Sequence, residues 1–456
     1  MSIYSRHRRS PYALGVRVFF GAACLLLLIL MAAGAWSLPF LFESPTMYYK
    51  FGVPKFLLRS GKVLGITAAF LIFLQALPVS RFIFLDRIFS LNRLFHFHRI
   101  NGLAIAALAL AHPFMILAAE NFTFFPLELR YWPEFLGIAL LVLILVLVVL
   151  SNWRTAFHIS YPFWRSMHRL ATMAVIAAAA VHILYVSESF TSGLPRALVI
   201  AVAGVNLLFI LRIWYRRGVV GGRTHIISKV EPAGKDAYTI NVRLPDKAVF
   251  GYLPGQFAFI TPLSAGIPRE EHPFTLTSAP SRPGALQFTI RSLGDWTNLI
   301  GNLQKNDSVI VDGPYGLFSH RLVSEKTTVI FIAGGIGITP VLSMLRYMAD
   351  TADNRKTLLI WSNQTRAHIV YPDEFETLEN TLENLNVIHV LTREDRAAER
   401  KERLDRARLK ALLQGYPPEA AAVFVCGPLQ MMRAVDQALK SLGFSSSRVY
   451  KEAFRL

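Results

Sequence analysis

The chain has 456 residues, 53% of them apolar, with a mean hydropathy of +0.39; this is too apolar for an ordinary soluble enzyme, so part of it belongs in lipid. Its net charge of +18 is unevenly shared, because residues 1–217 hold 20 Lys/Arg against 6 Asp/Glu and leave only +4 for the rest. A pI near 10 invites nucleic-acid binding, but these cations sit in short loops beside apolar spans, where they set orientation, and no nucleic-acid partner is expected.

Six spans are predicted, roughly 16–37, 57–77, 98–118, 134–151, 164–186 and 195–215, each close to the ~20 residues that cross a hydrocarbon core. Arg6, Arg8 and Arg9 ahead of the first resemble the start of a cleaved or twin-arginine signal peptide. The run that follows is long for that, and more spans come after it, so an uncleaved first helix is expected. With the N-terminus inside, inner loops hold 14 of the 20 Lys/Arg, and five of the six acids (Glu43, Glu120, Glu128, Glu134 and Glu188) fall outside. That asymmetry predicts a multi-pass protein of the cell (inner) membrane with both termini cytoplasmic.

Ionisable groups inside spans are costly, so each one is a functional hypothesis. His98 and His112 lie on the third span and His168 and His182 on the fifth, each pair separated by 14 residues. Fourteen residues make about 3.9 helical turns, or about 21 Å, so both members of a pair face the same side. The third and fifth spans run in the same direction. Matching pairs therefore meet at two depths, His98 with His168 near the inner face and His112 with His182 near the outer. Two imidazoles from facing helices supply both axial ligands of a haem iron suited to electron transfer, which predicts two haem b groups. Small residues around them (Ala104, Ala106, Ala107, Ala109, Ala111 and Ala177 to Ala180) leave room for a flat macrocycle, although such residues also occur at plain helix contacts. The competing reading is of isolated histidines bonded to backbone or lining a proton path. Zinc is poorly matched, since two ligands per site fall short of its tetrahedral set. His96, two residues before His98, faces elsewhere on a helix and is read as interfacial.

Past a linker at Arg216 to Gly222, the stretches Tyr238 to Leu244, Gln256 to Thr261, Phe274 to Thr277, Leu286 to Arg291 and Ser308 to Val311 are short and β-rich, with Gly and Pro between them. They predict a small antiparallel barrel. From Thr328 onward, apolar strands (Thr328 to Ala333, Thr357 to Trp361, Val387 to Leu391, Ala422 to Cys426) alternate with helical segments, the βαβ pattern of a parallel sheet. The charged stretch Arg393 to Arg408 reads as a solvated loop and helix face. With only Cys24 and Cys426, neither a disulfide framework nor a cysteine metal site is possible.

The most specific string is His272-Pro273-Phe274-Thr275-Leu276-Thr277-Ser278-Ala279-Pro280, preceded by Pro254-Gly255-Gln256-Phe257. It resembles the flavin-binding strand of the ferredoxin-reductase superfamily, which implies that His272, Pro273, Phe274, Thr275 and Thr277 line the ring and ribityl chain of FAD. Downstream, Arg291 and the run Gly294 to Thr297 open a short helix, a natural seat for the FAD pyrophosphate. Ala333 to Pro340 follows an apolar strand and precedes a helical segment. It is not the full dinucleotide fingerprint, yet Gly334, Gly335 and Gly337 let the backbone approach a pyrophosphate, with Thr339 and Pro340 opening the helix. Cys426-Gly427-Pro428 ends another strand, where the resembling proteins place a cysteine beside the nicotinamide; a buried core thiol is the alternative. In those proteins a near-terminal aromatic covers the flavin until nicotinamide displaces it, which points to Phe454. Thr275, Cys426 and Phe454 are thus expected against the reacting rings. Arg366, just past the strand ending at Trp361, suits the 2′-phosphate of NADPH. An exposed loop arginine explains it equally, so NADPH is favoured and NADH stays open.

Taken together, these histidines and motifs closely resemble the NADPH oxidase and ferric reductase family over nearly the whole chain. The implied architecture is multidomain: a six-helix transmembrane bundle over 1–217, an antiparallel β-barrel FAD domain over 218–322 and an α/β parallel-sheet NAD(P)-binding domain over 323–456. The implied route runs from cytosolic NAD(P)H through FAD, which takes an electron pair and releases single electrons, to the inner haem, the outer haem and an external acceptor. In the oxidase branch that acceptor is dioxygen, giving superoxide; in the reductase branch it is an Fe(III) chelate. A bacterial member of the oxidase branch is expected. Arg59 or Lys62 near the outer start of the second span could stabilise superoxide or serve as snorkelling anchors. No EF-hand loop or long regulatory extension is found, so no obligatory protein activator is expected. A reading from another class is a transporter or proton channel whose soluble half senses redox state.

Overall fold

The computed structural model describes residues 14–41, 51–123, 126–186, 190, 193–218, 223–244, 250–282, 284–393 and 404–453. They fall into two compact units, one helical from Leu14 to Val220 and one after it.

In the helical unit, α1 (Leu14–Leu41), α2 (Gly52–Leu74), α4 (Leu91–Ala119), α5 (Trp132–Trp153), α6 (Tyr161–Val186) and α7 (Gly193–Gly218) follow the six predicted spans. All six are long and apolar enough to cross a membrane. A short α3 (Ile83–Phe89) was not expected. Its Asp86 accepts the Leu91 N–H at 2.8 Å and so caps α4, which begins at Leu91, well before the predicted position 98. Inside the bundle, Ile72, Ile105, Ile144, Val175 and Ile176 form the core. Outside, Leu25, Leu30, Phe114, Val142 and Leu208 are exposed, as suits helices whose solvent is lipid and whose backbone polar groups are satisfied internally.

The second unit holds both predicted soluble domains. Its first sheet has six antiparallel strands: β1 (Arg223–Pro232), β2 (Ala237–Arg243), β3 (Phe257–Pro262), β4 (His272–Thr275), β5 (Ala285–Arg291) and β6 (Ser308–Tyr315), in the order β4-β3-β6-β1-β2-β5. Of the expected barrel, the structure shows the antiparallel sheet. The sheet's ends, at β4 and β5, meet only through an isolated bridge from Leu276 to Phe288, because β4 is four residues long and the chain then turns inward. Ile240, Val242, Ala258, Ile260 and Phe288 fill the space the sheet encloses.

The second sheet is parallel: β7 (Thr328–Gly334), β8 (Thr357–Asn363), β9 (Leu385–Leu391), β10 (Ala421–Cys426) and β11 (Val449–Glu452), in the order β11-β10-β7-β8-β9. Helices α8 (Ile338–Asp350), α9 (Pro372–Thr381), α10 (Arg406–Leu412) and α11 (Leu429–Ser441) complete it. One core holds Phe331, Trp361 and Phe424, the other Ile330, Val423 and Leu439, so both strand faces are covered and the strands read as continuous apolar runs. The strand order reverses between β7 and β10, which opens a crevice at their C-terminal ends.

Candidate functional site

In the helical unit, the imidazoles of His98 on α4 and His168 on α6 face each other with ring centroids 6.2 Å apart, and those of His112 and His182 with centroids 6.5 Å apart. Two imidazoles bound to one metal at about 2 Å from each nitrogen would place their centroids roughly 6 Å apart, so both spacings suit an ion held between the rings. Backbone carbonyls fix three of the four rings. The Nδ1–H of His98 donates to Gln75 O (3.0 Å), that of His112 to Gly61 O (2.8 Å) and that of His182 to Pro133 O (2.9 Å). This leaves Nε2 as the nitrogen open to a metal, the usual arrangement for a ligating histidine. His168 differs: its Nδ1 lies 3.4 Å from Ser151 Oγ, and its ring stacks on Trp164 with centroids 5.2 Å apart. Among the described residues no group of three or more metal-binding side chains occurs; the ligand candidates come in pairs.

Sequence reasoning missed the groups that hold these rings in place. A Cβ on Gly65 would meet the His112 ring at 2.9 Å, and one on Gly137 the His182 ring at 2.5 Å, so bare backbone on α2 and α5 makes room for imidazole. Gln75 braces His98 twice, since its Nε2 also donates to His98 O at 2.9 Å. A cavity of about 370 Å³ opens between His98 and His168, bordered by Gly102, Leu103, Val148 and Trp164. Of the two cations predicted near the second span's start, Arg59 lies over the Phe40 ring at 5.3 Å, a contact that anchors it.

On the first sheet of the second unit, His272 and Phe274 share a face of β4 and pack on Trp296, with centroid distances of 4.2 and 5.9 Å. β4 ladders only with β3, through pairs such as Pro273 with Phe259 and Thr275 with Phe257. Its other edge therefore offers main-chain donors and acceptors beside an aromatic shelf, a setting that fits a planar heterocycle with polar edges. Thr275 is buried, and Thr277 turns inward, its hydroxyl 3.3 Å from that of Thr289. Thr297 accepts the N–H groups of Leu293 and Gly294, both at 2.9 Å, which shapes the loop before its short helix. Arg291 pairs with Asp236 at 2.7 Å and reaches the glycine loop, where a Cβ on Gly335 would stand 3.0 Å from its Nη1.

At the crevice of the second sheet, Ala333 on β7 lies opposite Cys426 on β10, so the two predicted loops meet. Their glycines are dictated by that meeting. A Cβ on Gly337 would come within 2.4 Å of Cys426 O, one on Gly334 within 2.8 Å of Pro428 Cδ, and one on Gly427 within 3.0 Å of the Gly334 backbone. Thr339 Oγ donates to Ile336 O at 3.1 Å, and Pro340 is buried in the first turn of α8. The Cys426 thiol is fully buried; burial pushes it well up, with Glu452 adding to the effect, so it stays protonated and neutral. Arg366 opens a turn directly after β8 and is exposed. Phe454 lies outside the described residues.

A further residue had no sequence signal. Arg346 on α8 is buried: Nε and Nη2 grip both carboxylate oxygens of Glu374 at 2.6 and 2.7 Å, and Nη1 donates to Thr277 O and to Gln287 Oε1, both at 2.8 Å. In the linear sequence it is one more cation on an amphipathic helix.

Six membrane-length helices joined to an antiparallel sheet and a parallel α/β sheet mark a transmembrane oxidoreductase with flavin- and nicotinamide-binding domains. Residues 64–179 match the family described as ferric reductase like transmembrane component, residues 225–319 the FAD-binding domain and residues 331–437 the oxidoreductase NAD-binding domain. The chain belongs to the FAD- and NAD-binding reductases, here fused to a ferric reductase-like membrane domain. It is 29% identical over 226 residues to the glycine betaine monooxygenase reductase subunit of Chromohalobacter salexigens, covering 48% of this chain and 60% of that protein. It is 30% identical over 210 residues to the sulfhydrogenase 2 subunit gamma of Pyrococcus furiosus, covering 44% of this chain and 71% of the other. The chain thus spans less than two thirds of the first of these relatives. Among solved structures, the FAD/NAD-binding domain of a Vibrio cholerae nitric oxide dioxygenase is similar at 22% identity and a TM-score of 0.44, over 51% of this chain and 98% of that one.

Proposed function

We propose that this protein carries electrons from cytosolic NAD(P)H, by way of FAD and two haem b groups, to dioxygen on the far side of the membrane, yielding superoxide. The observation that carries the reading is the pair of facing imidazoles repeated at two levels of α4 and α6. His98 with His168 and His112 with His182 would each hold one iron, and the carbonyls of Gln75, Gly61 and Pro133 keep three of those rings turned toward it. Both termini face the cytoplasm of the inner membrane, and residues 1–217, 218–322 and 323–456 form the haem, FAD and NAD(P)H domains.

Bound FAD supplies the change from an electron pair to single electrons, and bis-imidazole haem supplies one-electron relay. The chain's own residues bind, orient and shield. The outer edge of β4, with His272, Pro273, Phe274 and Thr275, orients the flavin ring; Thr277 fixes the end of that strand; and Arg291, Gly294 and Thr297 sit at the pyrophosphate. Gly334, Gly335, Gly337, Thr339 and Pro340 receive NAD(P)H, with Arg366 at the 2′-phosphate of NADPH. Cys426, Gly427 and Pro428 wall the nicotinamide, the neutral thiol serving as a contact without taking a proton, and Phe454 shields the flavin when the nucleotide leaves. No protein activator is required. A second reading, reduction of an Fe(III) chelate, is favoured by the ferric reductase-like match over residues 64–179.

The test is an anaerobic reduced-minus-oxidised spectrum of the purified full chain with NAD(P)H alone, followed by air. Haem and flavin bands that reduce and then reoxidise on air, with superoxide-dismutase-sensitive cytochrome c reduction, support the oxidase. Fe(III)-chelate reduction with little superoxide supports the second reading. A chain that stays colourless in the Soret region despite ample haem supply sinks both.

A further inference from the structure

We propose that Arg346 is a positioning residue for hydride transfer: its guanidinium sets the separation between a nicotinamide nucleotide whose pyrophosphate is held at the glycine loop and a flavin at β4. The inference rests on the flavin and nicotinamide part of the proposed function and is independent of haem. α8 begins directly after Gly337, so Arg346 stands about 12 Å along the helix axis from the glycine loop. From there it reaches the other sheet. Thr277, whose carbonyl it holds, is two residues beyond β4, and Gln287, whose side-chain oxygen it also holds, is on β5. Ser343, one turn earlier on α8, donates to Ser278 O at 2.7 Å. The helix that carries the glycine loop is thereby tied to the end of the flavin strand.

Glu374, in the first turn of α9, fixes the fork from behind. Four of the five N–H groups of the guanidinium are engaged, and the residue is 6% exposed. A buried ion pair of this kind adds little net stability, because desolvation offsets the attraction; what it supplies is fixed geometry. Lysine, with a single ammonium on a flexible stem, cannot span the same three partners. In the step concerned, the C4–H bond of the reduced nicotinamide breaks and the hydride passes to the flavin with both electrons. The nicotinamide is oxidised by two electrons, the flavin is reduced by two, and one solvent proton balances the charge. Such a transfer needs the reacting atoms about 3–3.5 Å apart, and a misplacement of about 1 Å costs on the order of 100-fold.

The experiment mixes NAD(P)H anaerobically with the FAD-loaded full chain, comparing wild type, Arg346→Lys, Glu374→Gln and the distant surface variant Asp436→Asn. In Arg346→Lys, flavin bleaching at saturating nucleotide slows by about 10- to 100-fold, with half-saturation and FAD content nearly unchanged. The charge-transfer absorbance between reduced flavin and oxidised nicotinamide weakens in parallel. Glu374→Gln, which keeps one carbonyl acceptor, falls between, and Asp436→Asn matches wild type. Wild-type rates and absorbance in both variants overturn the inference, as does loss of FAD from both, which would leave Arg346 a holding role only. A wild-type chain that neither nucleotide reduces sinks the functional reading and this inference with it; unaffected variants beside a working wild type sink this inference alone.

Discussion

In the helical unit, side chains make the site and the backbone is regular: four imidazoles project from α4 and α6, and plain helix lies behind them. In the second unit the relation is reversed. Main chain at strand ends makes the crevice, and Gly334, Gly337 and Gly427 occur where any Cβ would strike a neighbouring loop. Removing a ligand should therefore empty a membrane site and leave its helices intact, whereas adding a methyl group should close the crevice without touching a ligand.

The largest effect is expected for His112→Ala. The paired level it shares with His182 should lose its haem, halving haem content, and acceptor reduction should fall by more than the roughly 100-fold typical of losing an outer-shell partner. Flavin reduction by NAD(P)H should persist, and unchanged haem content would refute the ligand assignment. Next comes Gly337→Ala, which sets a Cβ against the Cys426 carbonyl. Overpacking of this kind costs about 1–3 kcal/mol, read as an earlier flavin-release melt together with weaker NAD(P)H saturation and an unaltered haem spectrum. A melt and saturation curve matching wild type would break the contrast between the two halves.

A third test turns on pH and concerns the second unit alone. Burial, reinforced by the nearby Arg355, holds the His320 imidazole down to about 3, from an ordinary value of 6.5. As pH falls, the unfolded chain takes up the proton first. The stability linked to the neutral ring is fully present above 6.5 and is lost as pH drops toward 3, by up to about 1.4 kcal/mol per pH unit. His368 and His389 shift in the same direction, so the measurement is the difference between wild type and His320→Gln in flavin-release midpoints from about pH 7 to pH 5. Parallel curves for the two proteins would remove His320 from the account. The smallest effect belongs to Asp436, whose carboxylate meets Lys440 and Lys451, each at 2.9 Å, on the surface. Asp436→Asn should cost about 0.2–1 kcal/mol, less at high salt, and leave both sites untouched.

How much was legible in advance follows the same division. The 14-residue histidine spacing could be read because helical periodicity is a local property, and the structure brings the four rings together in the two pairs that spacing implied. Span ends were less legible: α4 starts early because Asp86, on an element with no strong pattern, caps it from outside. Strand β1 was passed over, and whether the expected barrel closes could not be read: its sheet ends meet at one bridge. Closure depends on how far β4 and β5 extend beside each other, which no short window of sequence records.

The amino-acid order alone determined the apolar spans, the histidine spacing and the alternation of strands and helices, since each depends on a repeat of a few residues. Only the tertiary structure decided why Gly65 and Gly137 are bare, which carbonyls turn the imidazoles, and that Arg346 joins Glu374 to Thr277. Those facts arise where segments 23 to 69 residues apart are brought into contact, and a close approach between distant segments leaves no periodic trace in either one.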